Sequence, residues 1–187
     1  MAEILLFHHA LGLTDGVKEF AGALRDAGHT VHTPDLFEGR RFEVVEDGVA
    51  FAAETGRETL GARAAAAAES LPTDLVYAGM SMGCAYATQL LLTRPGARAA
   101  FYLYGAVDPG WWDALWPADV PAQTHQTADD PWREKDADEA FAAKVPGAQM
   151  FLYEGDAHLF ADPSTEDFDP TAAALAMERI QTLLAVL

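Results

Sequence analysis

Short apolar runs alternate with longer amphipathic segments along the whole of this chain, and that order admits few architectures. Runs at 4–7, 29–33, 75–78, 100–104, 122–125 and 149–153 have the length and composition of strands. Between them the spacing of apolar residues predicts helices over about 15–27, 57–70, 82–93 and 134–144, with a last one over 171–187. Alternation of this kind builds a mostly parallel sheet covered by helices on both faces, so the expected architecture is a three-layer α/β/α sandwich. Pro34, Pro72, Pro95, Pro121, Pro146 and Pro163 fall between the elements, where a missing backbone donor does least harm. The least regular stretch is 105–120. It places Trp111, Trp112 and Trp116 just beyond a strand end, where open α/β sheets carry their ligands.

Length fits one domain, expected to span residues 1–187, and half of the residues are apolar, enough for a core. The 29 acidic and 12 basic residues give a formal charge of −17, a field that repels nucleic acid and anionic membrane surfaces alike. Cys84 is the only cysteine, so no intrachain disulfide can form, as suits a reducing compartment. The apolar run at 4–7 follows Glu3 and is shorter than the roughly 7–15 residues of a secretory core. No stretch approaches the roughly 20 apolar residues of a membrane span. A soluble, cytoplasmic protein is expected.

Gly79-Met80-Ser81-Met82-Gly83 follows the apolar run at 75–78 and opens a helical pattern. A serine between two glycines at a strand-to-helix turn is the context of a nucleophile elbow. The glycines have a mechanical reason: side chains two positions either side of the serine would collide with the neighbouring strand and helix. Such a turn exposes Oγ and aims the N–H of Met82, at the positive end of a helix, at the site of a developing oxyanion. Cys84, one helical turn inside, reads as a packed thiol.

A serine hydroxyl needs a base within hydrogen-bond reach, and that base needs a third group to fix its tautomer. In a fold with this elbow the chain order is serine, acid, histidine. Only His125 and His158 follow Ser81. His125 lies inside a strand candidate and reads as a core histidine, whereas His158 lies in a loop after the last strand and reads as the base. Asp129 and Asp130 both follow the preceding strand, and the residues alone leave the choice between them open. Asp156 reads as a loop-capping residue. The second oxyanion donor is assigned to the N–H of Ala10, in the loop after the first strand. His8 and His9 do not read as a metal pair, since neighbours on a strand face opposite ways and no Cys or carboxylate cluster completes a site.

Taken in order, several segments resemble the dienelactone hydrolase family, of the α/β-hydrolase fold. They are His9-Ala10-Leu11-Gly12, Thr33-Pro34-Asp35-Leu36-Phe37, Gly79 to Gly83, Tyr104-Gly105, Asp130-Pro131-Trp132, and Tyr153-Glu154-Gly155 leading to His158-Leu159-Phe160. The resemblance implies Asp130 as the acid and an oxyanion hole formed by Met82 and Ala10. The chain also departs from the family pattern. Ser81 stands where the named enzyme has cysteine, His9 where it has a glutamate that helps activate the thiol, and Asp162 where it has an arginine that holds the substrate carboxylate. Arg40, Arg41 and Arg57 are the cations that could approach the mouth instead.

These readings converge on a hydrolase of a small, neutral ester or lactone, acting through an acyl-enzyme on Ser81 with Asp130 and His158. No metal and no cofactor is expected. Trp111, Trp112, Trp116 and Trp132 are expected to wall the substrate site, with His9 beside them. Two alternatives stand next to this: acyl or peracid transfer at the same residues, and a binding protein on this fold that has lost turnover. Oligomeric state has no signature in the sequence.

Overall fold

A computed structural model describes residues 1–187. The strands β1 (Glu3–Phe7), β2 (Thr30–His32), β3 (Val76–Met80), β4 (Ala99–Leu103), β5 (Ala122–Thr127) and β6 (Gln149–Tyr153) form one sheet in the order β2-β1-β3-β4-β5-β6. Every pairing is parallel. The helices are α1 (Asp15–Asp26), α2 (Val45–Thr55), α3 (Arg57–Ala68), α4 (Met82–Thr93), α5 (Lys135–Lys144) and α6 (Pro170–Ala185).

Side chains alternate across each strand, and that alternation sorts them into two cores. Ile4, Leu6, Ala78, Phe101 and Leu103 face α1 and α6, meeting Val17, Phe20 and Leu24 from one and Ala176 and Ile180 from the other. Leu5, Phe7, Tyr77, Ala100 and Tyr102 face the opposite layer, where Leu60 and Ala64 of α3, Ala87 and Leu90 of α4, and Phe141 of α5 cover them. The result is the expected three-layer sandwich. β3 and β4, buried along their whole length, read in sequence as apolar runs without alternation for this reason.

Local signals set the ends of the elements. Thr14 caps α1 by accepting the Val17 N–H at 3.1 Å, and Asp169 caps α6 by accepting from Thr171 and Ala172, with Pro170 at the first helical position. α2 has no counterpart among the sequence expectations. It buries only Gly48, so it has no apolar stripe of the kind that periodicity detects.

The order β2-β1-β3 reverses the direction of winding between β1 and β3. The loops leaving the carboxyl ends of these two strands therefore diverge, opening a crevice where ligands bind in sheets of this type. Ala10 follows β1 and Ser81 follows β3.

Candidate active site

Ser81 occupies the turn between β3 and α4 with φ 48° and ψ −114°, a conformation that costs an L-residue on the order of 1–3 kcal/mol. Two backbone bonds hold it there. The Ser81 N–H donates to the Leu103 carbonyl at 2.8 Å, and the Cys84 N–H donates to the Ser81 carbonyl at 2.9 Å. Both flanking glycines are required by close approach. A Cβ on Gly79 would lie 2.4 Å from the Cys84 nitrogen, and one on Gly83 would lie 2.4 Å from the Phe7 oxygen and 2.8 Å from that of His8.

The hydroxyl thus exposed lies 2.9 Å from Nε2 of His158, whose Nδ1 lies 2.6 Å from Oδ2 of Asp130. With the carboxylate accepting, the imidazole carries its proton on Nδ1, and Nε2 is left to accept the Ser81 hydroxyl proton. Asp130 follows β5 in a tight turn, its Oδ1 accepting the Trp132 N–H at 2.7 Å. Asp129 is exposed and points its side chain at no partner, so the structure separates the two carboxylates that sequence left equivalent. His158 is buried in the loop after β6, with the rings of Tyr104 and Trp132 centred 5.7 and 6.0 Å away.

Met82 is the first residue of α4, so its N–H has no intrahelical acceptor, and the Ala10 N–H makes no backbone bond although Ala10 is buried. Ser81, Met82 and Ala10 all line one cavity of about 400 Å³. Its other walls are mostly apolar: Val45, Val49 and Ala52 of α2, Val107, Trp111 and Trp132. Arg57 and Glu134 supply charge among them.

Three expected wall residues lie elsewhere. Trp112 lines a separate cleft with Gln89 and Gly61, because the 3-10 turn Pro109–Trp112 sends the two adjacent indoles different ways. Trp116 is buried against Phe141 and donates its indole N–H to the Val120 carbonyl at 2.8 Å, which makes it a core residue. His9 is buried, and both of its ring nitrogens are occupied: Nε2 lies 2.8 Å from Asp162, and Nδ1 accepts the Leu11 N–H at 3.3 Å. It does not line the cavity. Asp162 is equally buried and does not line the cavity. Among the candidate cations, Arg41 pairs with Asp15 at 3.0 Å, Arg40 covers the Phe51 ring, and Arg57 alone reaches the cavity.

His8 is a fixture of the scaffold. Its Nδ1 lies 2.7 Å from the His9 carbonyl and its Nε2 accepts the Leu36 N–H at 3.0 Å, while burial lowers its pKa to about 4. No group of three or more His, Cys, Asp or Glu side chains is arranged to hold a metal ion. Helix α2 and Tyr104 are the site elements that sequence reasoning missed. Tyr104 lines the cavity at φ 68°, and the only signal for it was its place in the Tyr104-Gly105 pair at the end of β4.

The profile of the dienelactone hydrolase family matches residues 1–186. The chain belongs to the dienelactone hydrolase family. Membership makes it a hydrolase of the α/β type. No curated protein matches the sequence. Among solved structures, a dienelactone hydrolase-like promiscuous phosphotriesterase from metagenomic libraries shares 21% identity, with TM-score 0.81 over 100% of this chain and 87% of the other. The dienelactone hydrolase of Anabaena variabilis shares 16% identity, with TM-score 0.71 over 99% of this chain and 86% of that one. A structure of the metagenome-derived lipolytic enzymes LipS and LipT shares 16%, with TM-score 0.66 over 100% and 94%. At these identities the likeness establishes a common fold among dienelactone hydrolase-like chains. No helix is long and apolar enough to cross a membrane.

Proposed function

We propose that this dienelactone hydrolase family member cleaves a small, neutral ester or lactone through an acyl-enzyme on Ser81. The observation that carries this reading is the continuous relay from Ser81 to His158 to Asp130, with the hydroxyl opening into a mainly apolar cavity. His158 Nε2 takes the hydroxyl proton as Oγ attacks the carbonyl carbon, and Asp130 stabilises the imidazolium that forms. Negative charge on the carbonyl oxygen is met by the N–H groups of Met82 and Ala10, reinforced by the amino end of α4. Collapse of the tetrahedral adduct expels the alkoxide, which takes the proton from His158. Water, deprotonated by the same nitrogen, then releases the acid and restores the serine.

Apolar walls of Val45, Val49, Trp111 and Trp132 favour an uncharged acyl portion. The enzyme works, in this account, on a diffusible small molecule in the cytoplasm. A panel of p-nitrophenyl esters and simple lactones tests the proposal: wild-type protein turns over the short neutral members and Ser81→Ala does not. Equal rates for the two proteins would overturn it, and added alcohols or peroxide would show whether water is the acceptor.

A further inference from the structure

Beneath the relay lies a second polar cluster that takes no part in the reaction as drawn. Asp162 is fully buried with no lysine or arginine beside it, and four hydrogen bonds converge on its carboxylate. Oδ2 accepts from His9 Nε2 at 2.8 Å and from the Thr14 hydroxyl at 2.6 Å. Oδ1 accepts the Ser164 N–H at 2.8 Å and the Ser164 hydroxyl at 2.6 Å. The amino end of α1 approaches so closely that a Cβ on Gly16 would lie 1.6 Å from Oδ1. Burial by itself would raise this carboxyl's pKa, but the bonds from His9, Ser164 and Thr14 bring it down to about 2.

An ionised Asp162 dictates the tautomer of His9. Nε2 must carry the proton, which leaves the Nδ1 lone pair for the Leu11 N–H at 3.3 Å. The His9 carbonyl in turn accepts from His8 Nδ1 at 2.7 Å and from the Gly12 N–H at 3.1 Å. The N–H groups of Leu11 and Gly12 are thereby consumed, and that of Ala10, between them and His9, stays unpaired. From the other side α2 presses on the same residue, since a Cβ on Gly48 would lie 1.9 Å from the Ala10 oxygen. At its far end the contact is anchored in the loop of His158, closed by Asp162 N–H to Leu159 O and Asp169 N–H to Phe160 O, each at 2.9 Å.

We infer that the His9–Asp162 contact is a strut that fixes the Ala10 oxyanion donor relative to His158, making both residues positioning residues for the reaction. The inference rests on the proposed function above. A buried carboxylate with no cation paired to it is a poor source of stability. It is well suited to joining two loops whose relative position sets the alignment of donor, nucleophile and base.

The test compares Asp162→Asn, His9→Gln and Ser164→Ala with wild type, reading kcat and KM on a neutral p-nitrophenyl ester and the affinity of a trifluoromethyl ketone, which forms an oxyanion adduct with an active serine. In Asp162→Asn the one remaining oxygen stays with the backbone N–H of Ser164 and the amide NH2 faces His9, so the ring takes the Nδ1–H tautomer and sets a donor against the Leu11 N–H. His9→Gln keeps a donor for Asp162 but removes the ring acceptor, and serves equally if Asp162→Asn fails to fold. Both lose roughly 10- to 100-fold in kcat and in ketone affinity, with KM held within about twofold. Ser164→Ala, which leaves the His9 tautomer alone, loses thermal stability but stays within about threefold of wild-type kcat.

Wild-type kcat and ketone affinity in the folded Asp162→Asn or His9→Gln protein would overturn the inference. So would a loss in Ser164→Ala as large as theirs. Absence of turnover and of adduct in the wild type would overturn the proposed function, and the strut with it.

Discussion

Gly83 lies so close to the carbonyl of Phe7 that any Cβ there would stand 2.4 Å from the oxygen. This contact seats the first turn of α4 directly against the end of β1, bringing the Met82 and Ala10 N–H groups onto one cavity. Gly83→Ala therefore has to push α4 away from β1. The expected result is a loss of about 1–3 kcal/mol of stability, a melting temperature lower by several degrees, and a fall in kcat larger than that in Ser164→Ala. A fully active Gly83→Ala protein would show that the two loops are not held by this approach.

Asp130 and Asp129 are adjacent in sequence but differ in what they touch. Asp130 meets His158 at 2.6 Å, whereas Asp129 is exposed. Asp130→Asn is expected to invert the imidazole tautomer and to lower kcat by roughly 10³- to 10⁴-fold, while Asp129→Asn leaves it within about twofold. Steady-state kinetics on one ester separates them, and equal effects would reassign the acid.

Stability should fall early on acidification. Burial holds His125 at about 3 and His8 at about 4, against about 6.5 in an unfolded chain. The unfolded chain binds protons in this window that the folded state refuses. The stabilisation is thus complete above about 6.5 and declines as pH drops toward 4, at about 1.4 kcal/mol per pH unit for each histidine. Asp162, held at about 2, adds its own decline only below about 4, as its carboxylate is protonated. Calorimetry from pH 7 to 4.5 should show a steady drop in melting temperature, with a shallower slope in His125→Gln. A flat profile between 6.5 and 5 would contradict the assignment.

Cys84 should be chemically silent. Its thiol is buried in α4 with Sγ 3.5 Å from the Leu103 carbonyl, and burial pushes its pKa far up. Iodoacetamide is expected to leave native protein unmodified and fully active, and to alkylate Cys84 once urea unfolds it. Rapid alkylation of the native protein with loss of activity would make the thiol a participant.

How much of this was legible in the sequence depended on whether the signal was local. The strands and α1, α3, α4, α5 and α6 announced themselves because each buries an apolar face. α2 did not, because it buries only Gly48 and walls the cavity with small side chains. The elbow was legible because a turn this strained demands glycine at fixed offsets. Trp112 and Trp116 were not, because steps of one and four residues beyond Trp111 separate cavity from outer cleft and outer cleft from core, and chain direction through 105–120 has no periodic signal. His9 and Asp162 looked like two unrelated departures from the family pattern. They are the two ends of one contact, spanning 153 residues, and no reading of either position alone could pair them.

Every step of the proposed reaction requires Ser81 to be an activated nucleophile. Treating the wild type, Ser81→Ala and His158→Ala with a fluorophosphonate probe, then locating the adduct by mass spectrometry, asks this directly. One adduct per chain is expected, on Ser81 and abolished in both variants. A folded wild-type protein that takes no label, or takes it on another residue, would contradict the proposed reaction.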